Sequence, residues 1–218
     1  MSNVPEDHVD HPLERLMFFS DAVFAIAITL LVIEIKVPHL HTQNPAEAWE
    51  GVRGILPSLF GYVLSFLVIG RFWIGHDTAL QAMEHHTSKL IWPNIFLLMA
   101  VAFMPFATAF MAENLHNSGP TTFYNLALLF LAVCSLRVVS IATAPGHTRP
   151  GFSETTRRTM IARSMGVIVT VLITLAATFA FTSGGISQML LALMPLVQRV
   201  LIKLSLSRMK PAVEPAEA

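Results

Sequence analysis

Six long apolar runs, parted by short polar stretches, dominate this chain: Leu16 to Val37, about Ile55 to Ile74, Ile91 to Ala112, Thr122 to Ala144, Met160 to Phe181, and Ile186 to about Leu204. Each is close to the roughly 20 residues a helix needs to cross a hydrocarbon core about 30 Å thick. Pro38 stops the first run. Pro57, Pro105 and Pro195 fall inside runs two, three and six, where they predict interruptions that kink packed helices. The pattern predicts an all-α membrane protein with six transmembrane helices per subunit and no internal repeat. It divides the chain into a mobile N-terminal arm over 1–12, a six-helix transmembrane domain over 13–206 and a disordered C-terminal tail over 207–218.

Composition agrees with lipid as the solvent. The chain is 54% hydrophobic and 13% charged, with a mean hydropathy of +0.60. Basic and acidic residues balance at 14 each, which points to no nucleic acid or acidic partner. Cys134 is the single cysteine and sits in an apolar run, so neither a disulfide framework nor a thiolate metal site is available. The opening MSNVPEDHVDHPLERL lacks a basic n-region, and the first run ends at Glu34-Ile35-Lys36-Val37-Pro38 rather than at a small-residue cleavage site. The first helix therefore reads as retained, not as a signal peptide.

Orientation follows from lysine and arginine. The links after runs two and four, with the C-terminus, hold Lys89, Arg149, Arg157, Arg158, Arg163, Lys203, Arg208 and Lys210; the opposite links hold only Lys36 and Arg53. The positive-inside rule then places both termini in the cytoplasm, as an even helix count requires. Arg137 lies toward the cytoplasmic end of its run and can snorkel. Trp49, Trp73 and Trp92 fall near run boundaries, where interfacial anchors belong.

Asp21 is the position that demands an explanation, because a carboxylate facing lipid is costly. Ser20 or Asp21 can cap a helix that begins there. Alternatively, a helix starting near Leu13 buries both in its second or third turn, where they need partners. Arg71-Phe72-Trp73-Ile74-Gly75-His76-Asp77 offers an indole and an imidazole at the same level of the antiparallel second helix. Such a cluster can serve as a structural lock or as a proton relay. Further along the first run, Ile26, Leu30 and Ile33 share a face at i, i+4, i+7, with Thr29 beside them. Spacing alone does not separate a pore lining from a face that packs on helices or lipid while Thr29 bonds back to its own backbone.

The segment Arg15-Leu-Met-Phe-Phe19-Ser20-Asp21, continuing AVFAIAITLLVIEIKVP, resembles the first-helix signature of the lysosomal potassium channel family (transmembrane protein 175) in its bacterial single-repeat branch. SFLVIGRFWIGHD in the second run is similar too; runs three to six agree only in number and polarity. The resemblance implies a homotetramer whose first helices line a central pore with no TVGYG-type filter. It implies a hydrophobic constriction at Ile26, with Leu30 and Ile33 further along the same face, and a selectivity layer at Thr29. Arg15, Phe19, Ser20 and Asp21 match the motif that braces the pore helix, with Trp73 and His76 as partners. Asp77 stands where the pattern leads one to expect a second histidine. The implied function is a cation channel with modest preference for potassium over sodium, in the plasma membrane, with potassium as permeant ion and no cofactor.

Other chemistry has less footing. His85 and His86 are adjacent and cannot share a helical face; His8, His11, His39 and His41 lie in an arm or a loop. No His-Glu-x-x-His, phosphate-binding loop or nucleophile elbow occurs, so no metal site and no enzyme is expected. Glu34 can concentrate cations at an outer mouth, or simply pair with Lys36. The main rival is a proton-coupled secondary transporter using Asp21 and His76. It needs a mid-membrane polar pocket, and the mid-run polar residues in view are Thr29, Ser65, Asn94 and Thr108.

Overall fold

The computed structural model describes residues 11–39, 41, 44–180 and 187–207. The expected N-terminal arm over its first ten residues, the tail from 208 onward, and the link from 181 to 186 lie outside the described residues. Everything regular among the described residues is helical, apart from one isolated bridge between Met83 and Thr148. The elements are α1 (His11–Leu30), α2 (Pro45–Gln81), α3 (Ile91–Ala112), α4 (Ser118–Ala142), α5 (Glu154–Ala180) and α6 (Met194–Ser207). Short 3₁₀ turns, Ser88–Leu90 and Met189–Leu193, lead into α3 and α6.

Among the described residues, five helical segments are long and apolar enough to cross a membrane, and α1 is not one of them. Its 20 residues carry Glu14, Arg15 and Asp21, so no membrane-length window within it is free of three charges. Such a helix belongs in a bilayer only if its polar groups face protein or water. The chain is a multi-pass membrane protein, and α1 is the part of it least suited to lipid.

Local chemistry sets the helix limits. Asn44 caps α2 by accepting from the Ala46 N–H at 3.0 Å, with Pro45 in the first turn, where a missing donor costs nothing. The helix thus begins well before the apolar run at Ile55 and continues past Ile74 to Gln81, its first turns lying outside any apolar requirement. Asn117 caps α4 through the Gly119 N–H at 2.9 Å. Ser153 accepts from the Thr156 N–H at 3.1 Å ahead of α5. Of the prolines expected to interrupt helices, Pro57 and Pro105 lie within the continuous α2 and α3, whereas Pro195 falls in the first turn of α6, where the 3₁₀ turn gives way to α-helix. The α-helical part of α1 ends at Leu30 rather than Val37; tighter turns follow, with the Ile33 N–H on Leu30 O and the Ile35 N–H on Val32 O.

Sequential helices pack as antiparallel neighbours from α3 through α6, with α1 and α2 laid against α3 and α2 also touching α4. Two close approaches fix the layers. A Cβ at Gly61 of α2 would stand 2.8 Å from the Ala112 Cβ of α3, and one at Gly166 of α5 would stand 2.8 Å from Gln198 Cγ of α6. At the basic end, the α2–α3 and α4–α5 links are tied together. The Arg149 N–H bonds Ala82 O, its Nε bonds Met83 O, and the Glu84 N–H bonds His147 O.

Candidate pore face and its bracing network

Two faces of α1 divide cleanly. Leu13, Ser20, Phe24, Ala27 and, just past the helix end, Leu31 are buried at heptad-like spacing against α2 and α3. The opposite stripe carries Arg15, Phe19, Ala22, Ile26, Thr29 and Ile33, all exposed in the single chain. Ile26 is 58% and Leu30 40% exposed; Ile33 lies in the turn beyond the α-helical end, 71% exposed. The Thr29 hydroxyl donates back to Ala25 O at 3.0 Å and Ile26 O at 2.9 Å. Its single hydrogen is therefore used, and the oxygen lone pairs remain for whatever faces the stripe.

Because α1 starts at His11, Ser20 and Asp21 lie in its third turn and cap nothing. Asp21 Oδ1 accepts the Trp73 indole N–H from α2 at 2.9 Å, pairing two residues the sequence places together. Ser20 is fully buried and belongs to a chain of bonds that its neighbours orient. Its hydroxyl donates to Leu16 O at 2.8 Å and accepts from Asn94 Nδ2 of α3 at 3.0 Å. Asn94 Oδ1 then faces His76 Nε2 of α2 at 2.7 Å. Since the amide nitrogen serves Ser20, the amide oxygen must accept, and His76 must carry its proton on Nε2. The imidazole is buried, and its ring lies 5.5 Å from that of Phe24.

The network therefore differs from the expected set. His76 reaches Ser20 only through Asn94, which the sequence presents simply as a polar residue inside an apolar run. Asp77 turns away and accepts from Gln81 Nε2 at 2.7 Å, one turn along its own helix. Arg15 and Phe19 make no hydrogen bond, ion pair or ring contact with other described residues and stand on the exposed stripe. Glu34 is exposed, and Lys36 pairs with Glu113 at the end of α3 instead; that carboxylate raises the ammonium pKa above its usual range.

More polar side chains are buried among the helices than the sequence reading counted. Thr108 Oγ1 donates to Ser65 Oγ at 2.7 Å, and Ser65 meets the buried Tyr124 hydroxyl at 3.1 Å. Asn125 Nδ2 donates to Thr178 Oγ1 at 3.2 Å, which also meets Ser187. Thr170, Thr174 and Thr178 each bond the carbonyl one turn earlier in α5. An isolated threonine in an apolar run gives no sequence signal separating this self-satisfied state from a partnered one.

Comparisons place this geometry among known proteins. The family described as "Endosomal/lysosomal potassium channel TMEM175" matches residues 15–105, which run from α1 through most of α3. A potassium channel of Streptomyces collinus is 36% identical over 137 residues, a match covering 61% of this chain and 66% of that relative, just under two thirds of its length. The endosomal/lysosomal proton channel TMEM175 of Danio rerio is 26% identical over 118 residues, covering 53% of this chain and 22% of that protein. Among solved structures, the crystal structure of a lysosomal potassium-selective channel TMEM175 homolog from Chamaesiphon minutus aligns with a TM-score of 0.65 at 28% identity, covering 90% of this chain and 97% of that one. These relatives are named as ion channels, not as enzymes.

Proposed function

This chain belongs to the TMEM175 channel family, and on that premise we propose that it is a passive cation channel preferring potassium over sodium. Its pore is lined by the exposed stripe of α1 from each subunit of a homotetramer in the cell membrane, with both termini cytoplasmic. Ile26 forms the hydrophobic constriction, with Leu30 and Ile33 along the same line and Thr29 as the selectivity layer.

One observation carries this reading. Beyond Arg15 and Phe19, the exposed stripe of α1 carries small and β-branched residues, Ala22, Ile26, Thr29 and Ile33, whereas the exposed surfaces of α3 and α4 are rich in phenylalanine at 103, 106, 110, 123 and 130. Phenylalanine suits lipid; small residues suit close approach of helices. Four copies of Ile26 around an axis make a ring that dewets and blocks ions without a charged gate. Four Thr29 oxygens, their hydrogens already donated to the backbone, can replace part of a cation's hydration shell. Potassium gives up that shell more readily than sodium, so the preference is modest beside that of a carbonyl filter.

The names of the vertebrate relatives favour a second reading, proton permeation through the same pore. The proton-coupled pair of Asp21 and His76 has less support: Asp21 is bound to Trp73, and His76 to Asn94. The deciding experiment is current recording from purified protein in liposomes with potassium on one side and sodium on the other. The expected current is passive and reverses toward the potassium equilibrium potential. Reversal tracking an imposed pH gradient instead assigns the permeant ion as the proton, and solute movement driven by that gradient assigns transport.

A further inference from the structure

At the basic end of the bundle, α2, α4, α5 and α6 line a partly open pocket of about 60 Å³. Each buried water needs roughly 10–15 Å³ of such space, so a tetrahedral oxyanion fits. Two guanidinium groups line it, from half-buried Arg71 on α2 and exposed Arg163 on α5. The Arg71 side chain lies along its own helix past Gly75, its Nη1 3.8 Å, an ordinary contact distance, from where a Cβ on Gly75 would stand.

Nothing in the walls neutralises these charges. Neither guanidinium makes an ion pair or hydrogen bond with the other described residues. Neither α4 nor α6 contains an acidic residue. Asp77 on α2 is engaged by Gln81, Asp21 on α1 by Trp73, and Glu154 on α5 by Arg157 and Arg158. Ser135 of α4 is only 6% exposed, lines the same pocket and has no hydrogen-bond partner among the described residues. Gln198 of α6 also lines it; its amide nitrogen spends one hydrogen on Arg163 O at 3.2 Å and keeps another. A pocket with two unpaired arginines, a spare hydroxyl and a spare amide hydrogen is a set of donors lacking an acceptor.

We infer that this pocket binds a phosphate oxyanion, with the Arg71 and Arg163 guanidiniums as its principal ligands and Ser135 as a hydroxyl donor. Arginine pairs bidentately with phosphate, and basic pockets between membrane helices suit anionic headgroups. Apolar neighbours such as Phe72, Met160 and Val167 favour the phosphate of an anionic lipid over free phosphate. The site is independent of the pore stripe and of the proposed ion flux.

The test uses the full chain in dodecyl maltoside, a detergent without phosphate. Native mass spectrometry and thermal unfolding are followed with phosphatidylglycerol, inorganic phosphate or uncharged diacylglycerol. Phosphatidylglycerol is expected to remain bound and raise Tm, with affinity falling roughly tenfold or more in Arg163→Gln and in the Arg71→Gln/Arg163→Gln pair. Lys89→Gln, which removes an exposed basic side chain outside the pocket, should bind as the unaltered protein does. Because Arg163 is exposed, its single variant keeps the test decisive should the pair misfold. Protection by inorganic phosphate that is lost in Arg163→Gln supports the oxyanion site and assigns it to free phosphate. Equal binding by Arg163→Gln and the unaltered chain, or no binding beyond that of diacylglycerol, overturns the assignment.

Discussion

Thr29 and Ile26 sit one turn apart on an exposed stripe, so their substitution tests conduction with little penalty to folding. Thr29→Ala removes the oxygen that faces the stripe and a backbone bond that is already redundant in a helix. The potassium-to-sodium permeability ratio should fall while stability changes by about 0.5 kcal/mol or less; an unchanged ratio removes Thr29 from the filter. Ile26→Asn should wet the constriction, raising conductance and weakening ion discrimination in the same recordings. Asn94 behaves in the opposite sense. It is fully buried and is the sole link between Ser20 and His76 among the described residues. Asn94→Ala strands the His76 Nε2 proton, while the Ser20 hydroxyl keeps its bond to Leu16 O; an orphaned buried group costs roughly 1–3 kcal/mol, less where a membrane-embedded reference state finds substitutes. Unfolding in detergent should show a loss of about 2 kcal/mol, and a stability equal to that of the unaltered protein would show that the chain of bonds holds nothing.

Helices meet most tightly where glycine removes a side chain, and this makes their packing open to test. A methyl group on Gly166 would lie 2.8 Å from Gln198 Cγ and 3.0 Å from its Cα. Gly166→Ala gains about 1 kcal/mol in helix propensity but forces α5 and α6 apart, an overpacking cost of typically 1–3 kcal/mol. Lower stability is expected than for Gly54→Ala, where a Cβ would meet nothing within 4 Å. The reverse order in a thermal scan would mean that the α5–α6 contact relaxes freely. Helix existence was legible from apolar run length alone, because lipid imposes it. Helix ends were not: Asn44 and Asn117 caps, decided by side-chain chemistry outside the apolar runs, extend α2 and α4 beyond them. Proline acts differently by position: Pro57 and Pro105 sit inside the continuous α2 and α3, while Pro195 falls where the 3₁₀ turn before α6 gives way to α-helix.

In the proposed assembly α1 would acquire a role that a single chain does not supply. Three charges disqualify it as a lipid-facing span, and yet one whole stripe of it, from Arg15 and Phe19 to Thr29 and Ile33, has no covering element among the described residues. The sequence made the stripe and the Asp21–Trp73 pair legible, since both follow from helical spacing between two segments. It hid the mediating role of Asn94, which depends on the α1–α3 contact, a tertiary fact with no periodic signature. If copies of α1 pack on one another, the small side chain of Ala22 permits that approach, and a large one in its place blocks it. Ala22→Trp should therefore leave helix content unchanged by circular dichroism, because position 22 is exposed and outside the buried network. At the same time the particle mass from light scattering should drop from that of an oligomer to that of a single chain, with loss of current. Retention of the oligomer mass would mean that α1 faces lipid after all, and the pore would have to be sought on another surface.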